Sequence, residues 1–298
     1  MENYFDDDGY PYTHPLTILG GKGFVGSAYT NAYYHHAVGN IAHINDRLDY
    51  EVYSPDVLYF ISTVHNYSVF DNPHLDIDTN LSLLVKVLEN WKRYQTQSGT
   101  KGVFNFVSSW SVYGNQVPPV AETAPCDPRG WYIITKRCAE QLLVSYCETF
   151  GLNYRTLRFA NIVGPGDSKV SLKKNVLQYN INLLAQNKDV ELFGDGLFYR
   201  DFMHVEDCAR AIETVISKGG VNEIFNIGNG KTWTYAHILE YVHDRLQSTG
   251  EIIYKEPTAF QKSVPVKDFY MDVTKLRSLG FVPKYTGIAL YDSLLPKR

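Results

Sequence analysis

The sequence predicts an α/β fold: a parallel sheet covered by helices on both faces, followed by a second, smaller region. Three observations carry this reading. Short apolar runs alternate with segments of helical periodicity through the first half, a glycine-rich turn joins the first run to the first helical segment, and the alternation loosens beyond residue 162. Parallel strands need crossover connections, and crossovers lay helices over the sheet, so such strands are buried on both sides and read as near-continuous apolar runs.

Taken in order, residues 1–14 read as a flexible N-terminal arm, with Asp6, Asp7 and Asp8 as solvated charge. LTIL (16–19) is a short buried strand ending in GGKGFVG, which opens a helix rich in Ala and Tyr. NIAHI (40–44) is a second apolar run, and DVLYFIST (56–63) a strand beginning near Asp56. NLSLLVKVLENW has helical periodicity and GVFNFVSS is a strand. KRCAEQLLVSYCETFG repeats apolar residues at helical spacing through Ala139, Leu142, Leu143 and Tyr146 and stops at Gly151, before the strand NYRTLRFAN. GPGD then makes a turn, NVLQYNINLLAQN a helix, VELFG a short strand and VEDCARAIETVIS a helix. The pattern divides the chain into a sheet-bearing domain at 15–165 and a second domain, mainly 166–298, interwoven with the first and walling a cleft.

The chain has 298 residues, 44% of them hydrophobic, enough for a large core. Its net charge is −4 and no block of basic residues occurs, which removes the electrostatic basis for binding nucleic acid or an anionic membrane surface. No run approaches the ~18 apolar residues of a membrane span, and the acidic, aromatic first residues do not resemble a signal peptide, so a cytoplasmic protein is expected. Cys126, Cys138, Cys147 and Cys208 lie far apart, without metal-ligand spacing, and read as reduced packing thiols; no metal is expected.

GGKGFVG follows a strand and opens a helix, and Asp46 stands twenty residues beyond Gly26. That is the context of a dinucleotide site. Backbone lacking Cβ lets a pyrophosphate reach the unpaired amides of a helix N-terminus, and a carboxylate about 20 residues on meets the adenosine ribose. Gly20, Gly23, Phe24, Val25 and Gly26 are the candidates for the turn, Asp46 for the ribose. Arg47 beside it would accept a 2′-phosphate, so NAD is the expected cofactor with NADP as the alternative.

GWYIITK places Tyr132 and Lys136 one turn apart on a helix, sharing a face. A nearby ammonium favours the phenolate, and a phenol so tuned exchanges a proton with a sugar hydroxyl or carbonyl. Ser109, ending an upstream strand, could hydrogen-bond the same oxygen.

On GGKGFVG, SSWSVYG, YIITK, LRFANIVGPG, FGDGLFYRDFMHVED, FNIGNGKTW and KLRSLGFVPKY, the sequence resembles the extended short-chain dehydrogenase/reductase family, specifically its nucleotide-sugar epimerase and dehydratase branch, from about residue 16 to 290. The resemblance implies a Rossmann-like, doubly wound parallel sheet with a smaller C-terminal substrate-binding α/β domain, a nucleoside diphosphate sugar as substrate, and a homodimer joined through a four-helix bundle. It implies Ser109 as the catalytic hydroxyl, Tyr132 as acid/base and Lys136 as its partner and ribose ligand. Asn161 and Arg200 should face the substrate diphosphate, a role that suits the donor fork of Arg, although a pair with Asp201 would also account for Arg200. Phe193 is a candidate for the nucleotide base, or simply a core residue.

The sequence also departs from the family pattern. In the dehydratases of this branch an acid stands where Ser111 stands here, and in some another stands at Trp110; elimination of water needs such an acid and base. Their replacement argues against dehydration and leaves Ser111 as a substrate contact. Ser62 and Thr63 occupy positions usually held by two small residues beside the nicotinamide ribose. His65 could reach a phosphate, and Lys262 falls where relatives carry a phosphate-binding Arg. The stretch between Gly26 and Asp56 is short, as in deoxysugar reductases.

The expected function is therefore an NAD-dependent nucleotide-sugar epimerase acting at C4 through a transient keto-sugar. The alternatives are an NADPH-dependent nucleotide-sugar reductase and, outside catalysis, a dinucleotide-binding sensor or scaffold. Retention of Ser109, Tyr132 and Lys136 together weighs against the last.

Overall fold

The computed structural model describes residues 16–33, 50–64, 66–167, 170–172, 174–230, 233–257, 259 and 268–296. The N-terminal arm, the NIAHI run and four candidate site residues, Asp46, Arg47, His65 and Lys262, lie outside the described residues.

The apolar runs become a parallel sheet in the order β1 (Leu16–Leu19), β2 (Asp56–Tyr59), β3 (Val103–Ser109), β4 (Asn153–Phe159) and β8 (Glu223–Ile227). Side chains alternate between the faces of a strand, and the two cores follow that alternation. Leu58, Leu157, Phe159, Phe225 and Ile227 join one core, closed by α1 (Phe24–Tyr33) and α7 (Val205–Lys218) through Tyr29, Cys208, Ala209 and Ile212. Val57, Tyr59, Phe104 and Phe106 join the other, closed by α4 (Leu83–Ser98) and α5 (Trp131–Phe150) through Leu84, Leu88, Trp91, Ala139 and Leu143. Helices on both faces of a parallel sheet make the fold Rossmann-like, as the motifs imply.

Beyond β4 the chain leaves the sheet and returns. β5 (Asn161–Val163) pairs in parallel with β7 (Phe202–His204), and β6 (Val190–Phe193) with β9 (Ile252–Lys255). A third core, from α6 (Val176–Ala185) and α8 (Tyr235–Leu246), contains Leu177, Ile181, Leu192, Ile238, Leu239 and Leu290. Between these excursions α7 and β8 return to the first sheet, so the sheet is completed by residues that follow much of the second region.

Two buried polar links set α5 against the sheet. Arg158 of β4 grips Glu140 of α5 bidentately, Nε to Oε1 at 2.9 Å and Nη2 to Oε2 at 2.8 Å, with both side chains 2% exposed or less. One turn earlier, Lys136 Nζ donates to the Val107 carbonyl at 2.7 Å. These contacts fix the helical turn that carries Tyr132.

Candidate active site

The site forms at the carboxyl ends of β1, β2, β3 and β4, where ligands of open parallel sheets bind. After β1 the chain turns at Gly20, whose φ of +87° suits glycine, and Gly23 N donates back to Gly20 O at 3.0 Å. Gly26, in the first turn of α1, admits no side chain: a Cβ there would lie 2.4 Å from Gly20 O and 2.9 Å from Gly21 Cα. The turn therefore packs flat on the start of α1, whose first turn carries no acidic residue that would compete with an anion for its amides. Phe24 and Val25 are half-buried there, and Val25 packs on the core beneath. The residues present thus fit a dinucleotide pyrophosphate held through the backbone at 20–26.

β2 runs into Ser62 and Thr63, which are half-buried and clamped by Asn80. Asn80 Oδ1 accepts from Thr63 N and from Ser62 Oγ, each at 3.0 Å. Asn80 lies in a π-helical turn, Asp78–Ser82, just before α4, and bulges of this kind are common at functional sites. The pattern NLSLLVKVLENW gives α4 its period, but nothing in it says that its first residue is buried and turned inward.

Ser109 ends β3 and caps a short 3-10 turn, Trp110–Tyr113, accepting from Ser111 N at 3.3 Å. The Ser109 and Ser111 hydroxyls lie 2.9 Å apart. The Ser109 and Ser62 hydroxyls both bear on the Tyr132 phenol and favour its anion, so three of the residues singled out in the sequence are gathered around one group. Burial pushes that phenol up to about 12; the two serines oppose the shift and the Asp76 carboxylate adds to it.

Lys136 lies one turn from Tyr132 on α5 with its charged end turned to β3. Its Nζ turns to Val107 O and sits 4.3 Å from the centre of the Phe106 ring, and burial lowers its pKa to about 7, opposed by Glu140. Helical spacing set the stem on the correct face, but the charged end follows the nearest carbonyl. In this arrangement the hydroxyls, not the ammonium, favour the phenolate.

On the other wall, Asn161 and Arg200 come together because β5 pairs with β7. Asn161 Nδ2 donates to Asp201 O at 3.0 Å, and its Oδ1 accepts from Trp110 Nε1 at 3.3 Å. The Arg200 guanidinium lies 4.5 Å from the Phe198 ring centre and 5.9 Å from that of Trp110, with Nη1 donating to Tyr199 O. Burial lowers its pKa to about 10, opposed by Asp268 and Tyr235, so it is a cation at neutral pH. The Asp201 carboxylate is committed elsewhere: it accepts from the backbone amides of Asn229, Gly230 and Met271. Phe193 ends β6 opposite Lys255, in the small second sheet, and is half-buried.

Sequence reasoning missed Asn80, Thr135, Asp76 and the seat of Trp110. The indole, read as a departure from an acidic position, packs 4.4 Å from Phe269, a contact between residues far apart in the chain.

A hydroxyl-flanked tyrosine beside a glycine turn, at the carboxyl edge of a parallel sheet, places the protein among the dinucleotide-dependent enzymes of the short-chain dehydrogenase type. The comparisons agree with this class. The family model described as the NAD dependent epimerase/dehydratase family matches residues 16–228, more than half of the chain, and the protein belongs to that family. It is similar to a Methanocaldococcus jannaschii protein provisionally named UDP-glucose 4-epimerase, 28% identical over 90% of this chain and 93% of that one. It is also similar to a dTDP-glucose 4,6-dehydratase of Xanthomonas campestris pv. campestris, 28% identical over 80% and 72% respectively. A solved structure, UDP-glucose 4-epimerase from Thermotoga maritima with UDP-glucose, superposes with a TM-score of 0.79 at 25% identity, covering 94% of this chain and 96% of that one. The cofactor is accordingly a nicotinamide dinucleotide. Among the described residues, no helix is long and apolar enough to cross a membrane.

Proposed function

We propose that the protein is a nucleotide-sugar epimerase that inverts C4 of a nucleoside diphosphate hexose through a transient 4-keto sugar. The observation that carries this reading is the convergence of Ser109 and Ser62 on the Tyr132 phenol, with a hydroxyl and an indole at the neighbouring positions 111 and 110. Bound NAD supplies a reversible hydride acceptor, its pyrophosphate held by the backbone of residues 20–26. Tyr132 takes the proton of the C4 hydroxyl as hydride leaves C4, and gives it back to the same oxygen when hydride returns to the other face of the turned keto sugar; Ser109 donates to that oxygen and holds it in line. Arg200 offers its fork to the diphosphate, with Asn161 beside it. Ser111 and Trp110 carry no carboxylate, so this turn offers no acid and base for elimination of the C6 hydroxyl. The same proton-transfer set also weighs against a silent binding module, which has no use for it.

We further propose a homodimer through α4 and α5, the latter exposing Ile134, Leu142 and Phe150 on the outside of the second core. Light scattering on the protein and on Leu142→Glu tests this: a monomer in both cases removes it.

The test of function begins with mass spectrometry of the dinucleotide released on denaturation, followed by turnover of UDP-glucose and UDP-glucuronate. NAD near one equivalent and interconversion of C4 epimers without net redox is the expected result. An empty protein that consumes NADPH with a 4-keto sugar nucleotide is a reductase, and a 4-keto-6-deoxy product a dehydratase; either overturns the proposal. Tyr132→Phe should keep its NAD and lose turnover by about 10²–10⁴-fold.

A further inference from the structure

We propose that Ser111 is a positioning residue for Ser109: its amide and its hydroxyl both turn to Ser109 Oγ, occupy the lone pairs there, and leave Ser109 with its one proton for the oxygen on C4 of the sugar. This rests on the reading of Ser109 as the hydroxyl that donates to that oxygen.

The turn that carries the two serines is held at several points. Ser109 closes β3 in register with Phe159 of β4. Trp110 is tied to Asn161 and Phe269, and Tyr113, fully buried, donates to Asn226 Oδ1 at 2.7 Å. The turn ends where Gly114 N donates to Ser111 O at 3.1 Å. Gly114 has a φ of +68° there, and a Cβ on it would lie 2.0 Å from Asp127 O, so only glycine fits. Ser111 itself is 7% exposed, while Ser109 is half-buried and faces the cleft. The position of the Ser111 hydroxyl is thus set by the turn before any substrate arrives.

Two contacts reach Ser109 Oγ from Ser111: the backbone N at 3.3 Å and Oγ at 2.9 Å. The first caps the 3-10 turn and fixes the side-chain direction of Ser109. The second joins two hydroxyls, and either oxygen can be the donor. A count of protons decides it once a sugar is bound. A serine hydroxyl has one proton and two lone pairs. The C4 oxygen only accepts once it has lost its proton, as alkoxide or carbonyl, so Ser109 must turn its proton to it. The Ser111 hydroxyl, whose one hydrogen-bond partner among the described residues is Ser109 Oγ, then donates to Ser109. Both lone pairs of Ser109 are filled from one residue, and its O–H is left for the cleft.

This divides the labour at C4. With a lone pair open, Ser109 could accept from the C4 hydroxyl and compete with Tyr132 for its proton. With both filled it can only donate, and Tyr132 is the acceptor.

The test is a double-mutant cycle on Ser109 and Ser111 in the full chain loaded with NAD. Ser111→Ala should lower kcat for UDP-glucose by roughly five- to ten-fold, the worth of one hydrogen bond, while KM and the calorimetric affinities for UDP-glucose and UDP stay within about two-fold. Ser111→Cys, which keeps the volume but donates weakly, should behave like Ser111→Ala, and Ser111→Thr, which returns a hydroxyl, should recover most of the rate. In the Ser109→Ala background, Ser111→Ala should cost nothing further. An unchanged rate in Ser111→Ala, an equal loss with and without Ser109, or a loss of affinity overturns the proposal; the last two would make Ser111 a contact of the substrate itself. If UDP-glucose gives no C4 epimer, the epimerase reading loses its support, and the same cycle is read by nicotinamide absorbance as hydride transfer from NADPH to a 4-keto sugar nucleotide. Coupling of the two serines in that transfer upholds the proposal; independent effects, or no transfer with either substrate, overturn it.

Discussion

The indole nitrogen of Trp110 donates to the side-chain oxygen of Asn161, fifty-one positions along the chain, at 3.3 Å. The contact ties the turn bearing Ser109 to the wall that holds Arg200, so the sides of the cleft proposed for proton transfer and for the diphosphate are joined through one residue. Trp110→Phe should keep the packing on Phe269 and lose this donor. A net hydrogen bond contributes about 1 kcal/mol, so titration calorimetry with UDP-glucose should show roughly five-fold weaker binding. Unchanged affinity would place Trp110 outside the site.

Arg200 tests the phosphate wall. Its guanidinium stands against Phe198 and Trp110, and Asp201 is already satisfied by three backbone amides. Hydrogen bonds to charged groups contribute about 1.5–3 kcal/mol, so Arg200→Ala should weaken UDP-glucose and free UDP alike by roughly ten- to a hundred-fold. Loss of the sugar nucleotide alone, with UDP unaffected, would assign Arg200 to the sugar instead.

Gly26→Ala should abolish retention of the dinucleotide. The added methyl would sit 2.4 Å from Gly20 O, so the turn must open and the amides it presents must move. Absorbance of the purified protein at 260 nm against 280 nm checks this directly, and a normal NAD content would show that the turn does not hold it.

Glu140 gives stability a pH dependence. Burial alone would raise its carboxyl, but hydrogen bonds and charge from Arg158, with a hydrogen bond from Arg137, outweigh that and hold it below its ordinary value. A depressed carboxylate contributes stability that is complete above its unfolded value and lost as pH falls through the folded one. Thermal unfolding followed from pH 7 to pH 3 should therefore show a falling midpoint below about 4.5. Glu140→Gln leaves Arg158 buried without its counter-charge, should cost about 3–5 kcal/mol, and should flatten that part of the profile. A variant as stable as the parent would remove the pair from the account.

Much of this was legible in the sequence because strand ends and glycines have local physical causes. The strand–turn–helix at 16–33, the strand ending at Ser109 and the helix Trp131–Phe150 follow from apolar period and backbone freedom, and the last two bring Ser109 and Tyr132 to one place. Direction within the site was not legible. Lys136 lies on the expected face, but its charge follows a carbonyl of β3 that no spacing rule names. Asp76, Thr63 and Asn80 look like ordinary polar residues in a loop and the start of a helix; only the folded arrangement shows that Asp76 and Asn80 are buried and, with Thr63, fix one another. The Asn161 and Arg200 pair depended on strand pairing between β5 and β7, a long-range relation on which periodicity is silent.

The place of β8 at the sheet edge has a consequence for biosynthesis. β4 pairs with a strand about seventy residues later, and Leu157, Phe159 and Tyr29 share their core with Phe225, Ile227 and α7. As the chain leaves the ribosome, the cofactor lobe must wait with that apolar face uncovered until the substrate side has largely been made. A fragment ended near residue 165 would keep the glycine turn and the Ser109–Tyr132 pair, yet aggregate rather than bind. The two sides of the candidate site are thus tied into one sheet and core, and a part exchanged alone should leave that core open.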